Sequence, residues 1–231
     1  MKIAKNLILI IFAILLTNMQ SLAKATKLPI KTRPNELVEI IKLDPTLKLD
    51  IRYATKNNFL GRPIYKQAKA FLQKPVAESL IEVNKEIQKS GFAFLIFDGY
   101  RPWSVTKIFW DETIPEKRRF VADPKIGSIH NRGCAVDLTL YDLKTSKPLK
   151  MPSEYDDFSE KAYPTYIGGT EEERKNRDFL IKVMKEEDFT PHPNEWWHFN
   201  HKSCKYYMVL DIPFEDITSE GFSMSEKPEH R

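Results

Sequence analysis

The sequence predicts an α+β domain with a mostly antiparallel central sheet and helices packed on one side. Three observations carry that expectation. Phe92 to Phe97 is an unbroken apolar run, short enough for a strand covered on both faces. Leu47, Leu49, Ile51 and Tyr53 alternate with Lys48, Asp50 and Arg52, the two-residue period of a strand with one buried face. Pro75 and Thr170 each open a stretch in which apolar residues recur at three- and four-residue spacings, the period of a helix.

The first 23 residues follow a different logic. Lys2 and Lys5 form a basic start, Leu7 to Leu16 an apolar run of ten, and Ser21-Leu22-Ala23 offers small residues where a signal peptidase reads. Ten apolar residues fall short of the roughly 20 that span a bilayer. No Cys follows the run, which argues against a lipoprotein anchor. The expectation is a cleaved secretory signal over 1–23, no stable membrane anchor afterwards, and an exported chain in the periplasm or cell envelope. Removing Lys2 and Lys5 takes the net charge from +4 to +2, too weak a balance to suggest a nucleic-acid partner. A catalytic domain is expected over 24–215 and a polar, frayed tail over 216–231.

Along that domain, 24–36 reads as an extended lead-in, and Asn57-Asn58 and Gly61-Arg62-Pro63 as turns. The helix opened by Pro75 turns Ala77, Leu80, Ile81, Asn84 and Ile87 inward and is capped by Gly91. A short helix is expected over 104–112, with Val105, Ile108 and Phe109 inward, and a strand over Cys134–Leu140. Residues 144–168 lack a period and read as a long loop, which in a compact domain often carries function. Thr170 with Glu173 forms a capping box for a helix facing the core with Phe179, Leu180, Val183 and Met184. Trp196–Asn200 and Tyr206–Leu210 read as the last strands.

Two short segments concentrate the candidate chemistry. His130 and Asp137 lie in one, Glu195 and His198 in the other. Two imidazoles and a carboxylate can hold a zinc ion with its fourth position open to water. The remaining carboxylate is then free to act as general base. An odd spacing of seven puts His130 and Asp137 on opposite faces of an unbroken strand, so both reach one metal only if the chain bends. Gly133 stands where such a bend fits. The alternative is a surface His and a strand Asp that never meet. Glu195 and His198 sit among Trp196, Trp197 and Phe199, where an unsatisfied polar group costs several kcal/mol. A metal would satisfy both; a backbone-bonded core His with an exposed Glu is the plain alternative. His192 and His201 are weaker ligand candidates, one in a turn and one past the strand. Arg101, between a buried strand and Pro102, either stabilises an oxyanion or pairs with Asp98. Export permits a Cys134–Cys204 disulfide, but Cys134 can equally be a small core residue.

Asp98-Gly99-Tyr100-Arg101-Pro102, then Ser128-x-His130-x-x-Gly133-x-Ala135-x-Asp137, then Glu195-Trp196-Trp197-His198 occur in order. With Leu49 to Thr55 and Asn58-Phe59 upstream, the set resembles the D-alanyl-D-alanine dipeptidases of the zinc D-Ala peptidase group over about residues 40–212. The resemblance implies that fold, one zinc per chain on His130, Asp137 and His198, and a free D-Ala-D-Ala substrate. It implies Glu195 as general base for a metal-bound water attacking the peptide carbonyl, and Arg101 as oxyanion holder. Ser128 would bind the substrate carboxylate, and Tyr53 with Asp156 its ammonium, with Asp157 adjoining as a one-residue alternative register. Three rivals use the same residues: a D,D-carboxypeptidase trimming peptidoglycan stems, a non-haem iron oxygenase, and a zinc-bearing binding module without catalysis. The oxygenase commonly needs His-x-Asp, a different spacing, and the inert module leaves Glu195 and Arg101 without a role. Oligomeric state is not legible in the sequence.

Overall fold

The computed structural model describes residues 32–218 and the backbone of 222–223. The expected signal, most of the lead-in and most of the tail lie outside these residues. Strand β1 (Glu36–Glu39) is followed by a helical turn at Ile40–Leu43 and by β2 (Lys48–Leu49). Then come β3 (Phe71–Gln73), helix α1 (Lys74–Gln88), β4 (Phe92–Asp98) and α2 (Trp103–Glu112). Strand β5 (Ala135–Asp142), helix α3 (Glu171–Glu186), β6 (Phe189–His192), β7 (Glu195–His201) and β8 (Phe222–Ser223) complete the order.

Five strands form the central sheet in the order β2-β4-β5-β7-β6, antiparallel except for the parallel β2–β4 edge. Helices α1 and α3 touch each other and the sheet, so they share a side. The α+β expectation therefore holds. Pro75 opens α1 in the first turn, where its missing N–H goes unneeded. Asn84 is buried on that helix yet satisfied: its Nδ2 donates to Asp44 Oδ2 at 2.9 Å, and its Oδ1 accepts from Phe94 N at 3.0 Å. The capping box on α3 is complete, Thr170 accepting from Glu173 N and Glu173 accepting from Thr170 N. Phe94, Trp196 and Phe199 are fully enclosed on the central strands, each worth about 1.5–3 kcal/mol of burial.

Several expectations change. The alternation over Leu47–Tyr53 is real, with Leu47, Ile51 and Tyr53 buried, but only Lys48–Leu49 pair as strand. The chain then tightens into a 3-10 turn at Arg52–Ala54, and Tyr53 O accepts from both Ile64 N and Tyr65 N. Tyr206–Leu210 is not a strand. Lys202–Tyr206 is a 3-10 helix, and Leu210 N donates instead to Asn131 O at 2.9 Å. His192 ends strand β6 rather than lying in a turn. A second sheet, β3-β1-β8, goes unannounced in the sequence because its strands are two to four residues long. Ile217 is buried and Phe222–Ser223 pair with β1, inside the stretch that reads as a polar tail. Among the described residues no helix is long and apolar enough to cross a membrane.

Candidate metal centre and substrate cavity

The sheet register sets the site. Asp98 on β4 pairs with Asp137 on β5, and Asp137 pairs with His198 on β7, so the three form a row across the central strands. A bulge between Ile96 and Asp98 re-aims the end of β4. His130 arrives from outside the sheet. It lies in a 3-10 turn, His130–Arg132, that ends at Gly133 in the left-handed region, φ 67° and ψ 27°. This is the bend that the odd spacing requires.

His130 Nε2 lies 3.3 Å from Asp137 Oδ1, His198 Nδ1 lies 3.0 Å from the same oxygen, and the two nitrogens are 3.0 Å apart. Their outer atoms are already engaged. His130 Nδ1 donates to Gly99 O at 2.7 Å and His198 Nε2 to Asn200 Oδ1 at 2.9 Å. Each ring's proton is thereby committed outward, and the inward nitrogen keeps its lone pair. Tyr155 donates to Asp137 Oδ2 at 3.0 Å, while Oδ1 is buried without a hydrogen-bond partner. Two lone-pair nitrogens and an orphaned carboxylate oxygen facing one point fit a cation of the kind that imidazole and carboxylate ligate.

Glu195 lies beside this group, Oε2 3.6 Å from His198 Nδ1 and 3.7 Å from His192 Nδ1. Its side chain keeps 19% of its surface open. Burial nonetheless pushes its carboxyl up to about 7. Arg101 fulfils one of its two readings outright: Nε and Nη2 donate to Asp98 Oδ2 at 3.0 and 2.7 Å. The other reading stays geometrically open, because the same guanidinium lines the cavity and stands 3.9 Å from Asp137 Oδ2. It is clamped over the rings of Phe109 and Tyr53 at 4.8 and 5.3 Å. Asp98 is fully satisfied, its Oδ1 accepting from Tyr65 and from Gly99 N, each at 2.9 Å.

One cavity of about 230 Å³ is lined by Tyr53, Arg101, Ser128, His130, Asp137, Asp156, Glu195 and His198. All eight residues that the resemblance assigns to the site thus line one cavity, although they come from five segments of the chain. Tyr53 donates to Asp156 Oδ1 at 3.0 Å, and Asp156 Oδ2 is enclosed without a partner. Asp156 adopts φ 62°, a strained setting for a non-glycine residue, of the kind found at ligand sites. Burial, reinforced by Asp137, pushes its carboxyl well above the ordinary value. Of the two registers, Asp156 lines the cavity and Asp157 does not. Ser128 Oγ accepts from His130 N at 3.2 Å, which leaves its hydroxyl proton for another partner. His201 bonds Ser203 at 2.8 Å and is no part of the wall.

Sequence reasoning missed two supports, Tyr155 behind Asp137 and Asn200 behind His198, and named His192 only as a weaker ligand, where the structure sets it beside Glu195. Asn200 had a signal, lying two residues beyond His198 on the same strand face. Tyr155 had none, because its role depends on a loop fold.

The cysteines also pair. Cys134, just past the bend, is bridged to Cys204, just past β7, so the arms carrying His130 and His198 are tied covalently.

A family model described as D-ala-D-ala dipeptidase matches residues 33–216. A D-alanyl-D-alanine dipeptidase of Escherichia coli (strain K12) is 31% identical over 186 residues, covering 80% of this chain and 95% of the relative. One of Enterococcus faecalis (strain ATCC 700802 / V583) is 32% identical over 200 residues, covering 78% and 93%. A third, of Enterococcus faecium, is 30% identical over 189 residues, covering 73% and 88%.

Proposed function

This chain belongs to the D-Ala-D-Ala dipeptidase family, and on that premise we propose that it is a zinc peptidase hydrolysing free D-Ala-D-Ala to two D-alanines. The observation that carries this reading is the convergence of His130 Nε2, His198 Nδ1 and the orphaned Asp137 Oδ1, with Glu195 alongside. His130, Asp137 and His198 would hold one zinc ion, which supplies a Lewis acid and brings a water's pKa down to about 7.

The chain's own residues do the rest. Glu195 takes the proton from the attacking water and returns it to the departing nitrogen. Arg101, locked by Asp98, offers its guanidinium to the carbonyl oxygen as charge develops there; one such donor is worth about 3–4 kcal/mol. Asp156 Oδ2 and Tyr53 receive the ammonium, and the arriving cation supplies the partner that the buried Oδ2 lacks. Ser128 donates to the substrate carboxylate. The cavity, at about 230 Å³, is smaller than the roughly 300–1,000 Å³ of pockets for drug-sized ligands and suits a dipeptide. A longer peptide has an amide where the ammonium should be and brings no cation to Asp156 Oδ2. The family match removes the oxygenase reading.

We also propose that the protein works outside the cytoplasm. The signal-like start and the Cys134–Cys204 bridge support this, since disulfides persist in oxidising compartments.

The test compares D-Ala-D-Ala, L-Ala-L-Ala and a pentapeptide ending in D-Ala-D-Ala, each with and without chelator, with metal content measured beforehand. Chelator-sensitive turnover of D-Ala-D-Ala above the other two is expected. Faster cleavage of the pentapeptide would replace this reading with the carboxypeptidase.

A further inference from the structure

The cavity's charges do not balance for a zwitterionic ligand. Its ammonium meets Asp156. Its carboxylate meets, from Ser128, only a neutral hydroxyl. Arg101 is no free counter-charge, because Asp98 neutralises it through two short bonds. One other guanidinium lines the cavity, that of Arg119.

Arg119 lies in the 3-10 helix Pro115–Phe120, which leads into the loop ending at Ser128 and His130. Both arms of that loop, Arg119 to Ala122 and Gly127 to His130, line the cavity, so Arg119 belongs to the same wall segment as Ser128. Among the described residues Arg119 forms no ion pair. Its guanidinium instead lies 4.7 Å from the centre of the Phe120 ring. Phe120 is in turn stacked on Phe158 with ring centres 5.0 Å apart and planes within 4°. Phe158 follows Asp156 by two residues and packs on Phe59 at 5.2 Å. The charge is thus held at the cavity by an aromatic stack and not by an acid. A planar fork with unused N–H donors is suited to a carboxylate.

We propose that Arg119 is a specificity-determining residue that pairs with the substrate's terminal carboxylate, so that the protein selects peptides with a free C-terminus. The inference rests on the dipeptidase reading. It extends that reading by making recognition of the second end ionic.

The experiment measures kcat and KM for D-Ala-D-Ala and for its C-terminal amide in the wild-type holoenzyme, Arg119→Gln and Arg119→Lys. The wild type is expected to favour the acid over the amide. In Arg119→Gln that preference should shrink by about 10- to 100-fold, carried by KM and not by kcat, as expected for loss of one charge-assisted pair. Arg119→Lys should restore part of it. An unchanged acid-to-amide ratio in Arg119→Gln, with the wild type turning over D-Ala-D-Ala, overturns the role of Arg119 and leaves the dipeptidase reading standing. No turnover of D-Ala-D-Ala by the wild type overturns both.

Discussion

Replacing Gly133 with Ala tests the bend on which the metal site depends. Two effects oppose the change. Gly133 sits at φ 67°, where a residue with a Cβ is disfavoured by about 1–2 kcal/mol. A Cβ there would also stand 2.5 Å from Leu37 Cδ2, on a fully buried side chain of β1, and 3.4 Å from Gln73 Cγ. Overpacking of that kind costs about 1–3 kcal/mol. The bend cannot slide away, because Gly133 O accepts from Gln73 N at 2.7 Å and Gly133 N donates to His130 O at 3.0 Å. The sum is about 2–5 kcal/mol, a large part of the roughly 5–15 kcal/mol that holds a domain folded. Urea unfolding should show a lower midpoint with an unchanged slope. A chelator should strip metal from the variant more readily, since the bend joins His130 to Asp137. A double-mutant cycle with Leu37→Ala separates the two causes: relief of the contact should appear as a coupling of about 1–3 kcal/mol. A Gly133→Ala protein within about 0.5 kcal/mol of wild type would refute the reasoning. Strict additivity with Leu37→Ala would refute its packing half.

Glu195→Gln should retain metal but lose turnover by a factor of about 10³ or more; near-normal rates would remove Glu195 from the mechanism. The same variant carries a pH signature in metal-free protein. Burial raises the carboxyl from 4.5 to about 7, so in that window the folded state holds the extra proton and loses stability as pH rises. Without that group the variant should gain about 3 kcal/mol on wild type between those pH values, read from paired denaturation curves. Asn200→Ala removes the acceptor on His198 Nε2 and should weaken metal affinity by about 10- to 100-fold in a competitive chelator titration. Removing the Cys134–Cys204 bridge, which spans 70 residues, should cost about 4 kcal/mol in the oxidised protein, seen as a lower unfolding midpoint.

What the sequence disclosed tracks how local each signal is. Pro75, Gly91 and the Thr170–Glu173 box act within a turn or two of where they stand, and they mark α1 and α3 to within a residue or so. The bend at Gly133 was legible because an odd spacing between two candidate ligands has only one physical remedy. The β6–β7 hairpin was not, because Pro191 and Pro193 flank His192 and mimic a turn. Tyr206–Leu210 misled for the opposite reason: its unbroken run of large apolar residues reads as a strand, while its backbone N–H groups at Tyr207 and Leu210 go to Cys204 and Asn131. Pairings across long separations, such as Cys134 with Cys204 or Tyr155 with Asp137, leave no periodic trace.

The disulfide has one more effect, which concerns the topology of the chain and not its stability. It closes residues 134–204 into a covalent ring, and Asp137, Asp156, Glu195 and His198 all lie on it. The stretch 143–170 is an arc of the same ring, its regular structure the bridge of Pro148 to Tyr141 and the short 3-10 turn Glu160–Ala162. A single peptide-bond break anywhere along that arc opens the ring without dividing the molecule. Both halves of the metal site stay on one covalent body, joined through sulfur where they were joined through the backbone. The loop that brings Asp156 to the cavity is therefore a place where the chain can be cut once and remain whole.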